Sequence, residues 1–241
     1  MTELQIHNFL VLTTISLAGA TFIALLSVNA PYGRHLRPGW GPTIPARIGW
    51  IVMESPAVLL FAAVYAIGAH AMSIAVLALF VLWQFHYPNR GLIFPFRMRE
   101  AGKRMPVAIA AMAFVFSCLN AYINARWISH FGHYADAWLA TVPFAFGLVL
   151  FLAGWAINQQ ADAVLIRLRQ PGESGYRIPH GGFYRWVSCS NYLGEMLQWA
   201  GWALATWSAA GAAFALFTVA NLLPRALAHH RWYRKEFPDY P

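Results

Sequence analysis

The chain has 241 residues, of which 59% are hydrophobic and 11% charged, with a formal net charge of +8. Apolar runs of membrane-spanning length recur along it, which excludes an ordinary soluble domain and indicates a polytopic α-helical membrane protein. The runs are continuous rather than alternating, which argues against a β-barrel, and two cysteines, Cys118 and Cys189, make no disulfide framework.

In chain order the predicted spans are Phe9–Val28, Ile48–Ile67, Ala71–Phe85, Val107–Ile123, Val142–Ile157, Tyr192–Trp207 and Ala209–Leu223. They make an all-α membrane protein of about seven helices, a single domain over residues 1–241, at about 20 residues per crossing. The leader MTELQIHN has no Lys or Arg, so the first span is not read as a signal peptide. With the N-terminus outside, one inner segment holds Arg34, Arg37 and Arg47, and the next holds Arg90, Arg97, Arg99, Lys103 and Arg104. The remaining two hold Arg167, Arg169, Arg177 and Arg185, then Arg225, Arg231, Arg234 and Lys235. These are sixteen of the 17 basic residues, and Arg126 alone falls outside. The asymmetry predicts an outer N-terminus and a cytosolic C-terminus. It accounts for the basic balance through topology and lipid headgroups, without a nucleic-acid partner.

Within the second span stands Glu54, about 9 Å along the helix from its inner boundary at Ile48. A carboxyl at that depth is costly, so it faces either a cavity or a structural partner such as an Arg. Burial favours its neutral form, which can donate a hydrogen bond. Pro56 follows two residues on and is able to kink the helix and free a backbone carbonyl. Below the third span, YPNRGLIFPFRMREAGKR (Tyr87–Arg104) packs basic residues among aromatics. Such a segment suits orientation and anionic headgroups, and its guanidinium forks equally suit phosphate.

From Asn158 to Gln198 the polar groups gather. Asn158, Asp162 and Arg169 share one face of a predicted helix, opposite Ala161, Val164 and Leu168. A loop broken by Pro171-Gly172, Gly175, Pro179 and Gly181-Gly182 follows. A second helix then aligns Asn191, Glu195 and Gln198 inside an apolar run. Near the C-terminus, Arg225, His229 and Tyr233 form a third stripe at i, i+4 and i+8. His229 and His230, being adjacent, point to different faces, and no Cys/His set stands nearby, so no metal is expected. Arg231, Trp232 and Arg234 read as interfacial anchors. All three stripes lie at inner helix ends, so they are expected to converge on one cavity open to the cytosolic side.

These residues carry a resemblance. GESGYRIPHGGFYRWVSCSNYLGEMLQWAGWALATWS, preceded by NQQADAVLIRLRQPGE and followed at the terminus by HHRWYRKEFPDYP, resembles the C-terminal domain of the steroid 5α-reductases (3-oxo-5α-steroid 4-dehydrogenases). The likeness is thinner earlier, where Glu54 and Tyr87 carry it, and it suggests a bacterial-type homologue. It implies seven spans, with NADPH held among cytosolic helix ends. Residues from about 142 to 241 would hold the cofactor, and the helices up to about residue 105 the substrate. By position, Asn158, Asp162, Arg169, Tyr176, Asn191, Glu195, Arg225, His229 and Tyr233 match the cofactor contacts, with Arg97 and Arg99 as further phosphate candidates. Glu54 and Tyr87 match the pair that hydrogen-bonds the substrate ketone. Where the family often has a polar residue before that Glu, this chain has Met53.

The implied reaction reduces the 4,5 double bond of a 3-oxo-Δ4-steroid or similar lipophilic enone. Hydride goes to the β-carbon, and two donors relieve the charge developing on the carbonyl oxygen. The implied setting is a bacterial inner membrane or an endoplasmic reticulum. Two other classes stay open at this point. One is an S-adenosylmethionine-dependent membrane methyltransferase of the isoprenylcysteine type, against which the Arg excess and the single Glu in KEFPDYP argue. The other is a non-enzymatic lipid transporter or binding protein, which explains an intramembrane Glu but not the glycine loop with three polar stripes.

Overall fold

In the computed structural model, residues 1–28, 39–98, 103–168 and 177–240 are described. Helix α1 (Glu3–Ser27) starts at a capping box, with Thr2 Oγ1 accepting from the Gln5 amide and Gln5 Oε1 accepting from the Thr2 amide. This reciprocal pairing satisfies two orphan donors of the first turn. Helix α2 (Ala46–Ala66) contains Pro56, which cannot donate to the Val52 carbonyl. The Ser55 hydroxyl donates to that carbonyl instead, at 2.8 Å. Helix α3 (Ile74–Pro88), capped by Ser73, runs on through a π-helical turn (Asn89–Ile93) into the short α4 (Phe94–Arg97). Helices α5 (Val107–Arg126), α6 (Val142–Arg167), α7 (Ser190–Thr206) and α8 (Ala209–Glu236) complete the bundle.

Each predicted span therefore has a long helix. Five of these helices are long and apolar enough to cross a membrane. α3 has 15 residues and α7 has 17, the latter interrupted by the polar Asn191, Glu195 and Gln198. Two helices overrun their predicted spans at the C-terminal end. Thus α6 continues to Arg167, and α8 passes through Pro224 to Glu236. One departure from an all-α chain is a two-stranded ribbon, β1 (Thr43–Pro45) with β2 (Arg104–Pro106), antiparallel with Ile44 opposite Met105. It ties the start of α2 to the start of α5. Ile23, Leu59, Val115 and Val149 are exposed on the outer faces, as a lipid-facing surface requires. Together with its apolar helices this makes the chain an integral membrane protein.

The core is aromatic. Trp83 stacks on Phe61 at 4.2 Å and 11°, meets Trp202 edge-on at 5.1 Å, and donates its indole N–H to the Ala57 carbonyl at 2.7 Å. Two helices approach more closely than any side chain allows. Gly147 and Gly154 of α6 face Gly201 and Gly194 of α7, and a Cβ on any of the four runs into the opposing backbone. Small residues permit this approach, as in other membrane helix pairs. The register it sets brings Asn158 and Asp162 beside Asn191 and Glu195. At the far end of the bundle, Arg126 holds Glu3 through Nε and Nη2 at 2.6 and 2.8 Å.

Candidate active site

A cavity of about 1070 Å³ opens among α1, α2, α3, α5, α6, α7 and α8. This exceeds the range of about 300–1,000 Å³ usual for one small ligand. Arg90, on the π turn, lines the cavity. Its Nη1 lies 3.1 Å from Asp162 Oδ2 and its Nη2 lies 2.7 Å from Glu195 Oε1. The π turn leaves the Arg90 carbonyl outside the regular ladder, and the Trp50 indole N–H donates to it at 3.0 Å. The guanidinium also lies over the Trp50 and Phe94 rings, 4.8 and 4.7 Å from their centroids. Gly91, next along, packs on Glu54, whose Cβ would stand 3.0 Å from any Cβ added there.

Around this cation the polar groups interlock. Asn158 Nδ2 donates to the Asn191 carbonyl at 3.0 Å and to Glu195 Oε1 at 3.5 Å. Asn191 Nδ2 donates to Asp162 Oδ1 at 3.4 Å. Glu54 feels both the attraction of Arg90 and the repulsion of Glu195. Among the described residues no ion pair reaches Glu54, because both arms of Arg90 are engaged elsewhere. Tyr87 stands in the same wall, packed on Trp83 and Trp199 at 4.8 and 5.4 Å, with its hydroxyl beside the Asn120 amide.

The C-terminal stripe closes the opposite wall. Arg225 Nη2 donates to the Tyr192 hydroxyl at 2.9 Å, and the Tyr192 and His229 rings are 6.0 Å apart. The tail then folds back. Tyr240 stacks on Tyr233 at 5.0 Å and donates to Ser188 Oγ at 2.7 Å, and Ser188 in turn bonds His230 Nδ1 at 2.7 Å. In the loop before α7, Gly181 and Gly182 take φ of 88° and 52°, the left-handed region that favours glycine. They lead into a short 3₁₀ turn (Gly182–Arg185) that places Tyr184 on the cavity wall. Burial, and after it the Asp162 carboxylate, pushes the Tyr184 hydroxyl well above the usual tyrosine range. That hydroxyl is buried with no hydrogen-bond partner among the described residues.

Of the residues singled out in the sequence, Glu54, Tyr87, Asp162, Asn191, Glu195, Arg225, His229 and Tyr233 line this one cavity. Asn158 is buried behind the wall, where it holds Asn191 and Glu195 in place. Gln198, third in the α7 stripe, is buried beside His86. Arg97 is exposed and off the cavity wall, donating to Gln159 Oε1 at 3.3 Å. Arg99, Arg169 and Tyr176 lie outside the described residues. The sequence places Arg90 among the topogenic charges and in the phosphate-suited basic segment Tyr87–Arg104 but does not single it out, nor Asn120 or Tyr184. A signal was present for two of them: Arg90 follows Tyr87 by three residues, on the same face, and Asn120 pairs with Asn124 at i, i+4 inside an apolar span.

Fold and site together define an integral membrane protein whose helix ends build one large, partly charged cavity. The family model for 3-oxo-5-alpha-steroid 4-dehydrogenase matches residues 103–241. The steroid 5-alpha-reductase DET2 of Arabidopsis thaliana is 44% identical over 241 residues, covering 97% of this chain and 92% of the relative. The 3-oxo-5-alpha-steroid 4-dehydrogenase 1 of Macaca fascicularis is 44% identical over 218 residues, 88% of this chain and 81% of its own. That of Homo sapiens is 42% identical over 227 residues, covering 92% and 86%. The chain belongs to the steroid 5α-reductase (3-oxo-5α-steroid 4-dehydrogenase) family of enzymes, and the methyltransferase and transporter readings are set aside.

Proposed function

We propose that this protein uses NADPH to reduce the 4,5 double bond of a 3-oxo-Δ4-steroid or a similar lipophilic enone. One observation carries the reading: Glu54 and Tyr87, two potential donors to a ketone, share a cavity with the Arg90–Asp162–Glu195 cluster and the Arg225–His229–Tyr233 stripe. The relatives' own names, steroid 5-alpha-reductase and 3-oxo-5-alpha-steroid 4-dehydrogenase 1, support the substrate class.

The residues fit a nicotinamide dinucleotide. Arg225, Arg177 and Lys103 bring cations to the cavity for phosphate, and Asp162, Asn191 and Glu195 bring acceptors for ribose hydroxyls and a carboxamide. The Tyr184 hydroxyl and Asn158 Oδ1, unpartnered among the described residues, are buried polar atoms that such a ligand, or water beside it, would satisfy. Arg169, Tyr176 and Arg99 are further cofactor contacts in this reading, and Arg97 is one only if a phosphate reaches the exposed edge. When bound, NADPH supplies the hydride that the β-carbon receives.

The chain's own part is electrostatic. Glu54 donates as the neutral acid, Tyr87 through its hydroxyl, and both aim at the ketone oxygen, where negative charge grows as the β-carbon is attacked. Arg90 keeps Asp162 and Glu195 neutralised, so Glu54 is the carboxyl left to donate. Trp83, Trp199 and Phe214 back the site and exclude water, which strengthens those donors. A proton delivered to the α-carbon completes the saturated ketone. Met53, on the cavity wall ahead of Glu54, meets the substrate with an apolar thioether.

In this reading all seven long helices cross the membrane, with the N-terminus outside and the cavity facing the cytosol. The basic residues at the cavity end of the bundle support that orientation. Residues 1–241 then work as one unit, the part up to about residue 105 holding substrate and that from about residue 142 holding cofactor. The decisive test incubates purified protein with NADPH and a panel of lipophilic enones, followed by mass spectrometry for a gain of two hydrogens. Glu54→Gln should keep NADPH affinity and lose turnover by about 10²-fold. Wild-type turnover in that variant would end the role assigned to Glu54.

A further inference from the structure

Behind Tyr87 runs a chain of three buried polar side chains that the proposed reaction does not use. Trp202 of α7 donates its indole N–H to Asn124 Oδ1 at 2.8 Å. Asn124 Nδ2 donates to Asn120 Oδ1 at 2.9 Å and to the Asn120 carbonyl at 3.1 Å. The Asn120 side chain neighbours the Tyr87 hydroxyl, and both residues line the cavity. Trp202, Asn124 and Asn120 are all buried, at 0%, 1% and 2% exposure. Water therefore does not compete for these bonds.

The polarity of the chain follows from its first member. An indole N–H can only donate, so the Asn124 oxygen must face Trp202 and its NH₂ must face Asn120. The oxygen of Asn120 is then occupied as an acceptor, and its NH₂ is the group left for Tyr87. A phenol that accepts from an amide N–H on one side keeps its own hydrogen for another partner. The geometry points to Asn120 as a positioning residue for the reaction: the Trp202–Asn124–Asn120 relay directs the Tyr87 O–H into the cavity as a donor. Without the relay the phenol hydrogen has other acceptors, including the Asn120 oxygen itself. With it, the donor is set before a ketone arrives, and preorganisation of that kind is what makes an oxyanion-stabilising group effective. The inference rests on reading Tyr87 as a donor to the ketone.

The test is a double-mutant cycle read as turnover per mole of NADPH-competent protein. Asn120→Ala should lower kcat about five- to tenfold with little change in KM for the enone, the effect of one neutral hydrogen bond. In a Tyr87→Phe background the same change should add nothing further, because Asn120 acts only through that hydroxyl. Asn120→Asp keeps the shape but presents only acceptors when ionised, so it should cost more than Asn120→Ala. A purely structural role predicts the reverse order, since alanine leaves a hole and aspartate does not. A second readout needs no turnover: the carbonyl stretch of an enone bound without cofactor should move toward its free value in Asn120→Ala, as it should in Tyr87→Phe. Equal losses from Asn120→Ala in both backgrounds, with an unmoved carbonyl stretch, would overturn the relay. If instead Tyr87→Phe alone leaves kcat and the stretch at wild-type values, the donor reading of Tyr87 has failed, and the relay fails with it. The cycle thus separates the two failures, and Asn120→Ala remains readable even if Asn120→Asp does not fold.

Discussion

A single methyl group at Gly194 should damage both the bundle and the cofactor site. An alanine Cβ there meets the Asn158 nitrogen at 2.5 Å, the Gly154 carbonyl oxygen at 2.7 Å and the Asn158 Cα at 2.9 Å. All three are backbone atoms of α6, so no side chain can swing aside. Restoring ordinary contact distance requires α6 and α7 to separate by about 1 Å. The Asn158–Asn191 bond, now 3.0 Å, then passes out of hydrogen-bonding range, and the grip of Asn158 on Glu195 at 3.5 Å goes with it. Overpacking costs about 1–3 kcal/mol and the lost Asn158–Asn191 bond about 1 kcal/mol, the 3.5 Å contact adding little, so the expected loss is about 2–4 kcal/mol. Detergent-solubilised Gly194→Ala should melt roughly 5–10 °C below wild type by tryptophan fluorescence, and NADPH titration should show weakened binding. Gly19→Ala in α1 is the internal control, because nothing lies within 4 Å of a Cβ there. It should be neutral, or gain up to about 1 kcal/mol in helix propensity. A Gly194→Ala protein that melts and binds NADPH like wild type would refute the close-contact account of α6 and α7.

Arg90→Met should leave Asp162 and Glu195 without their shared cation and cost about 3–5 kcal/mol. Adding Asp162→Asn and Glu195→Gln should recover much of that in the same melting assay, and no recovery would show that Arg90 acts by packing alone. Asn191→Ala or Glu195→Ala should weaken NADPH binding by about 1–3 kcal/mol in a fluorescence titration, and unchanged affinity in folded protein would mean the α7 stripe serves another ligand. Arg225→Ala should reduce dinucleotide affinity more than Arg97→Ala, since Arg225 lines the cavity and Arg97 is exposed beside Gln159. The reverse order would move the phosphate site to the edge near Arg97. Cysteine labelling in intact cells should find residue 241 cytosolic and residue 1 outside, and a cytosolic N-terminus would invert the proposed topology.

Much of this protein was legible in one dimension because its determinants are local. Lipid forces a crossing segment to be apolar and helical, so the five helices long and apolar enough to cross stand out as hydrophobic runs. The stripes Asn158/Asp162, Asn191/Glu195 and Arg225/His229/Tyr233 were readable because helical periodicity puts each on one face. Glu54 announced itself by its cost in an apolar run. The two short strands escaped notice because a three-residue ribbon has no pattern of its own. Which stripe meets which was not readable at all. That Arg90 bridges Asp162 and Glu195 depends on the register of α6 against α7. The register in turn depends on four glycines whose meaning appears only when two backbones touch. The donor direction of Tyr87 depends on Trp202, more than a hundred residues away, through two asparagines that in sequence are merely polar. Local free energies select helices, faces and depth. Pairing, register and the direction of a hydrogen bond are decided by contacts between segments, and those exist only in the folded chain.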